Sequence, residues 1–508
     1  MSDSALYKDL KRISQIEDAT HRLGAFKTAV GLGGLFLIGV LLFTLTLSGE
    51  GDRYWFVVLA GVIGGYMALN IGANDVANNV GPAVGSRALP MVGALVIAAV
   101  CEAAGAILAG GDVVSTISKG IVDPGRVPDA DTFILAMMSS LLAAALWINL
   151  ATFIGAPVST THAVVGGVMG AGLIAAGPDA VAWGTMQAIV ASWVISPLLG
   201  GLVAGLFLTF IRAAIIRQPD RMAASRRWIP PLIGMLAASF TAYLIFKGLS
   251  HVWRPPLAVI LVLGAAAGVA THMAMRPVVA RASARLENRR KAVSSLFTLP
   301  LIFSAALLSF AHGANDVANA VGPLAAIVHA AQDGDIAAKV TLPLWVLVVG
   351  ALGIAFGLCL FGPKLIRTVG EKITKLDQTR AFCVALSAAV TVLVASAFGL
   401  PVSSTHIAVG GVFGVGFLRE YWSNAKLRAR PDAEAAPLPA IAPPGVAADG
   451  TAVPAPPTHH KRRKAQKRRL VRRRHLQTIV AAWLITVPLS AVLAAGIFLG
   501  LRTLIAAS

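Results

Sequence analysis

The chain has 508 residues, of which 56% are hydrophobic and only 13% are charged, and its mean hydropathy is +0.75. A soluble protein of this length would need more charge to cover its surface, so the composition excludes a soluble globular protein. Several apolar runs reach the roughly 20 residues that cross a bilayer as a helix. The sequence therefore predicts an all-α polytopic membrane protein with the lipid bilayer as its surroundings.

The formal net charge of +19 would suit a nucleic-acid partner, but the distribution of that charge does not. Ten basic residues lie in the run 461–474, and most of the others lie in short loops between apolar runs. Basic loops beside spans are typical of the cytoplasmic side of a membrane, where they meet lipid headgroups or a regulatory partner. We therefore expect no nucleic acid to bind.

Thirteen apolar runs form the predicted spans. In chain order they are 25–47, 54–80, 90–110, 132–155, 157–177, 183–213, 229–248, 255–275, 296–323, 341–362, 380–399, 401–418 and 477–503. The first is too long for the apolar core of a signal peptide, so we interpret it as a spanning helix. With a cytoplasmic N-terminus the basic loops all fall on one side, which predicts a multi-pass protein of the cell inner (plasma) membrane.

Three sequence blocks occur twice in the same order. The segment 72–82 (GANDVANNVGP) matches 313–323 (GANDVANAVGP), 156–172 matches 400–416, and 189–205 matches 479–495. The predicted spans that carry the first block are seven apart in order, and an odd separation reverses the direction of the second copy. This is an inverted-topology repeat, typical of alternating-access transporters whose broken or re-entrant helices meet at the membrane midplane.

The repeat divides the chain into segments. They are 1–24 as a cytoplasmic N-terminal segment, 25–47 as an extra helix, 53–213 as repeat 1, 214–295 as basic loops with two connecting helices, 296–418 as the first part of repeat 2, 419–475 as an insertion, and 476–508 as the final helix of repeat 2. The insertion begins with a Pro/Ala-rich stretch without a periodic apolar face, which is typical of a linker, and ends with the basic cytoplasmic run.

The first block places carboxylate and amide side chains inside an apolar run. A carboxylate costs roughly 3 kcal/mol at the centre of a membrane helix, so it indicates a functional site. Gly72 and the pair Gly81 and Pro82 predict a break that frees backbone groups inside a cavity. The predicted cation-binding residues are Asn74, Asp75, Asn78, Asn315, Asp316 and Asn319, with sodium at Asp75 and Asp316. The alternative is a hydrogen-bond network that only holds helices together.

The second block (PVSTTH and PVSSTH) indicates an anion site. Pro157 and Pro401 suit the first turn of a helix, whose free N–H groups and positive dipole end attract an anion. Hydroxyl groups beside these N–H groups fit a small tetrahedral oxyanion, and the repeated blocks contain no Arg or Lys. The predicted anion-binding residues are Ser159, Thr160, Thr161, Ser403, Ser404 and Thr405. Ordinary helix capping is the alternative.

Three further ionisable residues lie within predicted spans. His162 and His406 end the second block, and each is either a structural hydrogen-bonding group or a titrating group in proton coupling. Glu102 lies well inside a span, and Gly353 falls at the matching position of the second copy. We predict that Glu102 binds a cation or carries a proton, with a structural hydrogen bond to Asn or Ser as the alternative.

The paired GAND and PVST motifs resemble those of the PiT family of inorganic phosphate transporters, also called the Pho4 family. The resemblance covers about 53–213 and 296–503. It implies a homodimeric secondary transporter that takes up inorganic phosphate with Na⁺ or H⁺, and not an enzyme. It also implies that the GAND residues serve the cation and that the Ser and Thr residues of the second motif hold phosphate. No cofactor is expected, and Na⁺ or H⁺ would be the transported coupling ion.

Two features depart from the family pattern. Family members often carry a glutamate in the helix before the second PVST motif, where this chain has Ala385. The leading helix 25–47 and the insertion 419–475 lie outside the common core. The missing carboxylate leaves the identity and number of coupling cations open.

Phosphate import by cation symport through alternating access is therefore the predicted function. A co-transported cation offsets the anion's charge, whose inward movement costs roughly 2.3 kcal/mol per charge per 100 mV. Sulfate or another oxyanion is the alternative substrate, and a passive anion channel is the alternative mechanism. A hydrolase using Ser159, His162 and Asp75 is disfavoured because no G-x-S-x-G elbow is present. The three cysteines show neither metal-type nor disulfide-type spacing.

Overall fold

A computed structural model describes residues 3–47, 53–249, 253–334, 336, 342–372, 376–428 and 473–507. Over these ranges the regular structure is helical, apart from one isolated bridge between Val122 and Val181. The predicted all-α class is confirmed. Most of the predicted insertion 419–475, including residues 461–472 of its basic run, lies outside the described residues.

The helices are numbered in chain order. They are α1 (Asp3–Thr46), α2 (Tyr54–Asn74), α3 (Val76–Gly85), α4 (Met91–Ala109), α5 (Gly111–Lys119), α6 (Ala130–Ile154), α7 (Thr160–Ala176), α8 (Trp183–Ile211), α9 (Arg221–Tyr243), α10 (Leu257–Ala284), α11 (Arg290–Leu296), α12 (Thr298–Asp316), α13 (Ala318–Asp333), α14 (Leu344–Lys372), α15 (Gln378–Ala397), α16 (Ser404–Arg428) and α17 (Arg473–Ala507). A π-helical turn follows α8 at Arg212–Ile216, and another follows α9 at Leu244–Gly248.

Eleven helices or helix pairs of the described ranges are long and apolar enough to cross a membrane, so the chain is a multi-pass membrane protein. Two of the thirteen predicted spans, 157–177 and 401–418, are not among them. Helix α7 has only 17 residues. Helix α16 continues beyond its apolar half into a polar end that contains Arg419 and Glu420. The prediction of thirteen full spans is therefore wrong at these two places.

Helix α1 unites two segments that the sequence analysis separated. It begins at Asp3, although only Phe26–Thr46 is apolar enough to span a membrane. Residues 3–23 contain neither proline nor glycine, so the chain holds no residue that would stop the helix there. The boundary predicted near residue 25 marks the end of the polar stretch and not the start of a helix.

Helices α6 and α7 form a re-entrant hairpin, which we call hairpin 1. The chain before α6 pairs with the chain after α7: Asp123 N–H donates to the Ala180 carbonyl oxygen at 2.8 Å, and Ala182 N–H to that of Ile121 at 2.9 Å. Hairpin 1 therefore enters and leaves on one face of the bundle. Its tip, residues 155–159, lies inside the bundle, where Val158 is buried.

Helices α15 and α16 form the matching hairpin 2, whose tip is residues 398–403. The two hairpins touch at their tips, because Thr161 Oγ1 donates to the Val402 carbonyl oxygen at 3.1 Å. Helices α7 and α16 both begin at this contact. The N-terminal ends of two helices are thus brought together inside the membrane-spanning bundle.

The GAND motifs lie at short interruptions between helices. One residue separates α2 from α3 (Asp75) and one separates α12 from α13 (Val317), and both keep helical backbone angles, φ −84° and ψ −36°, and φ −56° and ψ −32°. Pro82 lies within α3 and Pro323 within α13. The predicted breaks at Gly72 and at Gly81 and Pro82 are wrong, because these residues lie within helices, and the interruption in each motif is a single residue. The longer non-helical segments within the bundle are the hairpin tips.

The two GAND spans run in opposite directions. Arg53, which precedes α2, contacts Asp131 at the start of α6 at 2.6 Å. Its guanidinium also lies against Gly334, which follows α13. The second GAND span (Thr298–Asp333) therefore ends on the face where the first (Tyr54–Gly85) begins. These directions are what the predicted inverted-topology repeat requires.

Glycines bring the GAND helices into backbone contact with neighbouring helices. A Cβ atom on Gly72 would collide with the carbonyl oxygen of Ile354 in α14, and one on Gly313 with the carbonyl oxygen of Glu102 in α4. Small residues at such contacts let membrane helices approach closely. The first glycine of each GAND motif therefore serves helix packing.

We expect Gly72→Ala and Gly313→Ala each to lower the melting temperature of the purified protein, because the added methyl group forces two packed helices apart. Overpacking of this kind costs roughly 1–3 kcal/mol. Gly31→Ala is the matched control, since a Cβ atom there meets no atom within 4 Å. Equal melting temperatures for the three variants and the parent would contradict the packing role.

Candidate functional site

The first asparagine of the first GAND motif holds the tip of hairpin 1. Asn74 Nδ2 donates to Thr152 Oγ1 at 2.9 Å and to the Ala156 carbonyl oxygen at 3.2 Å. Asn74 Oδ1 accepts from Val158 N–H at 3.2 Å. These bonds tie α2 to the end of α6 and to the tip of hairpin 1. Asn74 thus braces the backbone, and its predicted role as a cation ligand stays a prediction.

Asn315 holds hairpin 2 in the same way. Asn315 Nδ2 donates to Ser396 Oγ at 2.8 Å and to the Leu400 carbonyl oxygen at 3.2 Å. Its Oδ1 accepts from Val402 N–H at 3.4 Å. Each GAND motif therefore fixes the tip of the hairpin from its own half of the chain.

The carboxylate of Asp75 joins the two hairpins. Thr160 Oγ1, at the start of α7, donates to Asp75 Oδ2 at 2.5 Å. Thr405 Oγ1, in the first turn of α16, donates to Asp75 Oδ1 at 3.1 Å. Asp75 is 2% exposed, and a carboxylate so deeply buried needs such donors. The predicted cation residue and two predicted anion residues are therefore hydrogen-bonded to one another.

The second carboxylate, Asp316, has a different set of partners. Ser404 Oγ donates to Asp316 Oδ2 at 2.7 Å, and His312 Nε2 lies 2.7 Å from the same oxygen. Asp75, His312 and Asp316 each offer a ligand atom, and these atoms all lie within 4.8 Å of one another. The two predicted sodium ligands thus lie in one cluster.

The last asparagine of each GAND motif crosses to the other half of the chain. Asn78 Nδ2 donates to Thr405 Oγ1 at 2.8 Å. Asn319 Nδ2 lies 3.2 Å from both Thr160 Oγ1 and Thr161 Oγ1. The hydroxyl groups of the hairpins are therefore held between carboxylates on one side and amides on the other.

Three buried oxygen atoms of the GAND motifs accept no hydrogen bond from the described part of the chain. They are Asn78 Oδ1, Asn319 Oδ1 and Asp316 Oδ1. Buried acceptors without a donor are rare in proteins, and each calls for a partner. Carboxylate and amide oxygens that face no donor are the ligands that hard cations take.

The hydroxyls of Ser159 and Ser403 have a capping role. Ser159 Oγ accepts from His162 N–H at 3.1 Å, and Ser403 Oγ from His406 N–H at 3.2 Å. The other N–H groups of a helix's first turn have no intrahelical acceptor and point beyond the helix end. The capping alternative is thus observed for these two serines, and it leaves the first-turn N–H groups of α7 and α16 beside the cluster.

A sequence model of the family described as "Phosphate transporter family" matches residues 71–494, which include both GAND motifs and both hairpin tips. The chain belongs to the phosphate transporter family. Its members are transporters and not enzymes, and the predicted membership of this family is confirmed.

Individual relatives of this phosphate transporter family member are also named as phosphate permeases. The chain is 52% identical over 415 residues to a protein of Helicobacter pylori (strain J99), covering 81% of this chain and 78% of the relative. It is 37% identical over 366 residues to one of Pyrococcus abyssi, covering 72% and 89%. Both relatives are named "Putative phosphate permease".

A solved structure described as "The sodium-dependent phosphate transporter" has the same fold. Its TM-score against this transporter is 0.76 at 35% sequence identity, and the match covers 88% of this chain and 99% of that one. The membrane fold predicted from the motifs is thus shared with a protein whose description names phosphate and sodium.

The transporter also has a polar network beside the cluster. Glu102 in α4 is fully buried and accepts from Asn79 Nδ2 at 2.7 Å through Oε1. Its other oxygen lies 2.5 Å from His312 Nδ1. Because His312 Nε2 contacts Asp316, the imidazole links two carboxylates. Glu102 is therefore connected to the cluster through His312 and is not itself among the three clustered ligand groups.

Sequence reasoning missed His312 and Asn79. The matching positions in the other copy are Ile71 and Ala320, so a search for duplicated polar residues passes over both. One signal was present: His312 stands four residues before Asp316, which places the two side chains on one face of a helix. A histidine at that spacing from an intramembrane carboxylate is a candidate partner.

His162 and His406 contact each other, and their rings are not hydrogen-bonded to the carboxylates. Their ring centres are 4.3 Å apart. His162 packs on Trp193 at 3.8 Å and His406 on Trp483 at 3.5 Å, so four rings form one cluster. Their ring nitrogens are buried without a hydrogen-bond partner among the described residues. The aromatic contacts support the structural alternative, and proton coupling by these histidines stays a prediction.

We expect Asn74→Ala and Asn315→Ala each to destabilise the transporter, because each leaves a buried backbone N–H of a hairpin tip without an acceptor. Leaving such a group unpaired costs roughly 1–3 kcal/mol. The melting temperature in detergent measures the effect. Thr28→Ala is the control, since Thr28 is exposed and its hydroxyl donates to the Gly24 carbonyl oxygen of its own helix at 3.1 Å. A loss no greater than that of the control would contradict the bracing role.

Proposed function

We propose that this protein imports inorganic phosphate by symport with a cation, Na⁺ or H⁺, through alternating access. The observation that carries the proposal is the double hydrogen bond of Asp75 to Thr160 and Thr405. These hydrogen bonds join a predicted cation-binding residue, Asp75, to two predicted anion-binding residues. The family supports phosphate as the substrate, and the similar solved structure, described as sodium-dependent, supports Na⁺ as the cation.

Sharing of these hydroxyls explains how the two ligands are coupled. A Thr or Ser hydroxyl has a single proton to donate. While Thr160 and Thr405 donate to Asp75, their protons are not available to an anion. When a cation binds the Asp75 carboxylate, the cation compensates the negative charge of the carboxylate. The two hydroxyl groups can then turn and donate to phosphate. Cation binding therefore favours anion binding at the same place.

The helix ends supply the remaining attraction for phosphate. Helices α7 and α16 both begin at the contact between Thr161 and Val402. First-turn N–H groups and the positive end of the helix dipole bind phosphate without a basic side chain. An anion held in this way is released more easily than one paired with Arg or Lys, which suits a transporter.

The arrangement of the two halves supports alternating access. The two GAND spans run in opposite directions, and the hairpin tips meet between them. Asp316 lies about half-way along the span Thr298–Asp333. Inverted halves that rock about such a point would open the cluster to each side in turn. The cytoplasmic N-terminus, the homodimer and the inner-membrane location belong to this proposal.

The two alternatives from the sequence are outcomes of the experiments below. Sulfate differs from phosphate because it has no proton to donate near neutral pH, and Asp316 Oδ1 is an acceptor without a donor in the described part of the chain. A passive channel would need no paired carboxylates. No Ser–His–Asp relay joins Ser159, His162 and Asp75, because neither ring nitrogen of His162 is hydrogen-bonded to a described residue.

Uptake of labelled phosphate into proteoliposomes tests the function. We expect accumulation above equilibrium with an imposed Na⁺ gradient or an imposed pH gradient, and weak competition by sulfate. Accumulation with Na⁺ alone identifies Na⁺ as the coupling ion. Accumulation with the pH gradient alone identifies the proton and points to the Glu102–His312 pair. Mere equilibration under both gradients would contradict symport and indicate a channel.

We expect Asp75→Asn and Asp316→Asn to lower uptake at least roughly tenfold and to change its dependence on the cation, because an amide cannot hold a cation's charge as a carboxylate does. Asp179→Asn is the control, since Asp179 is exposed in the turn after α7. Initial rates at several cation concentrations measure the effect. Full uptake with an unchanged cation dependence in both variants would contradict the assignment.

A further inference from the structure

A groove opens on the lipid-facing surface between α8 and α9. Its volume is about 370 Å³. Each helix contributes four apolar side chains: Val203, Leu206, Phe207 and Phe210 from α8, and Trp228, Pro231, Leu232 and Met235 from α9. Both helices are membrane spans, and Leu206 is 60% exposed. The lining positions extend over roughly 10 Å of each helix, at the helical rise of about 1.5 Å per residue.

The groove ends at the basic turn that joins the two helices. Residues 212–228 contain five arginines and a single acidic residue, Asp220. The side chain of Asp220 is engaged as the cap of α9, where it accepts from Ala223 N–H at 2.9 Å. Trp228 lines the groove, and the Arg227 guanidinium lies 5.5 Å from the centre of its ring. The mouth of the groove is therefore positively charged.

Two arginines of this turn are held by hydrogen bonds within the protein, and two others are not. Arg221 Nε donates to the Ile216 carbonyl oxygen at 2.9 Å, and Arg226 Nε donates to Ser283 Oγ at 2.6 Å. Arg217 and Arg227 are exposed. Neither forms a hydrogen bond or ion pair with a side chain of the described ranges. These two guanidinium groups are available to an anion at the membrane surface.

We propose that this groove binds an anionic phospholipid, with one acyl chain between α8 and α9 and the phosphate headgroup on Arg217 and Arg227. A neutral lipid would also fill an apolar groove, but it would leave the two cations without a counter-charge. Basic pockets between membrane helices suit anionic headgroups. Trp228 lies between the basic mouth and the apolar groove, as expected of a tryptophan at the membrane interface.

The site is separate from the proposed phosphate site. The groove is formed by α8 and α9 at the lipid-facing surface, whereas the carboxylate cluster is formed by the GAND helices and the hairpin tips. No residue belongs to both. Loss of lipid binding and loss of phosphate uptake are therefore separate observations.

Quenching of Trp228 by brominated lipids tests the proposal. The full-length protein is reconstituted in vesicles that contain brominated phosphatidylglycerol or brominated phosphatidylcholine, and the Trp228 contribution is the difference from Trp228→Phe. We expect half-maximal quenching at a roughly tenfold lower mole fraction of the anionic lipid, because each basic residue near the surface adds to its attraction. Equal quenching by both lipids would overturn the proposal.

Matched variants separate the headgroup from the acyl chain. We expect Arg217→Gln combined with Arg227→Gln to remove the preference for the anionic lipid. Arg87→Gln combined with Arg367→Gln removes two exposed charges outside this turn, and we expect the preference to persist. Loss of the preference in both double variants would overturn the proposal in favour of a general surface potential.

A second pair of variants tests the groove itself. We expect Leu206→Phe to reduce quenching by filling the groove, whereas Leu202→Phe, at a position outside the lining and also 60% exposed, does not. Absence of quenching by either lipid in the parent protein would mean that a second copy of the chain covers the groove, and it would overturn the proposal.

Discussion

Burial of Asp75 and Asp316 within a membrane bundle is the constraint on which the rest of the structure depends. A carboxylate at this depth is tolerated only where donors or cations compensate it. The donors are hydroxyls at the first turns of α7 and α16. Both hairpins must therefore enter the bundle far enough for their tips to touch, and Asn74 and Asn315 hold them there. The hydrogen bonds that compensate the buried charge are thus the same ones that assemble the proposed transport site.

The site is symmetric in its hydroxyls and amides and asymmetric in its ionisable groups. Asp75 is bound by the hydroxyls of both hairpins, whereas Asp316 is bound by Ser404 and contacts His312. The side chains of Glu102, Asn79 and His312 have no polar counterpart in the other copy, yet they form one connected network. The polar residues that are not duplicated are therefore connected to Asp316, through His312. The two carboxylates are thus not equivalent positions for a cation.

Much of the architecture follows from sequence patterns because lipid imposes a simple rule on the chain. Apolar runs of sufficient length must be helices, since the backbone has no other hydrogen-bond partner there. This rule yields the all-α fold, and the duplicated blocks locate both halves of the site. The rule does not separate the hairpin arms 132–155, 157–177, 380–399 and 401–418 from crossing helices, because a helix that ends at a hairpin tip is as apolar as one that crosses the membrane. Hydropathy alone does not distinguish the two.

The sequence by itself determined the class of protein, its repeated motifs and the duplicated residues of the site, because their residue types and spacing are local properties. Only the tertiary structure decided which of these residues touch. His312 and Glu102 are 210 positions apart, and helix packing brings them into contact. The same packing places His162 and His406 against tryptophans. It also lets Asn74 and Asn315 form hydrogen bonds with the hairpin tips. Helical periodicity orders the residues on each helix, but the rotation of one helix against another is set by side chains distant in the chain.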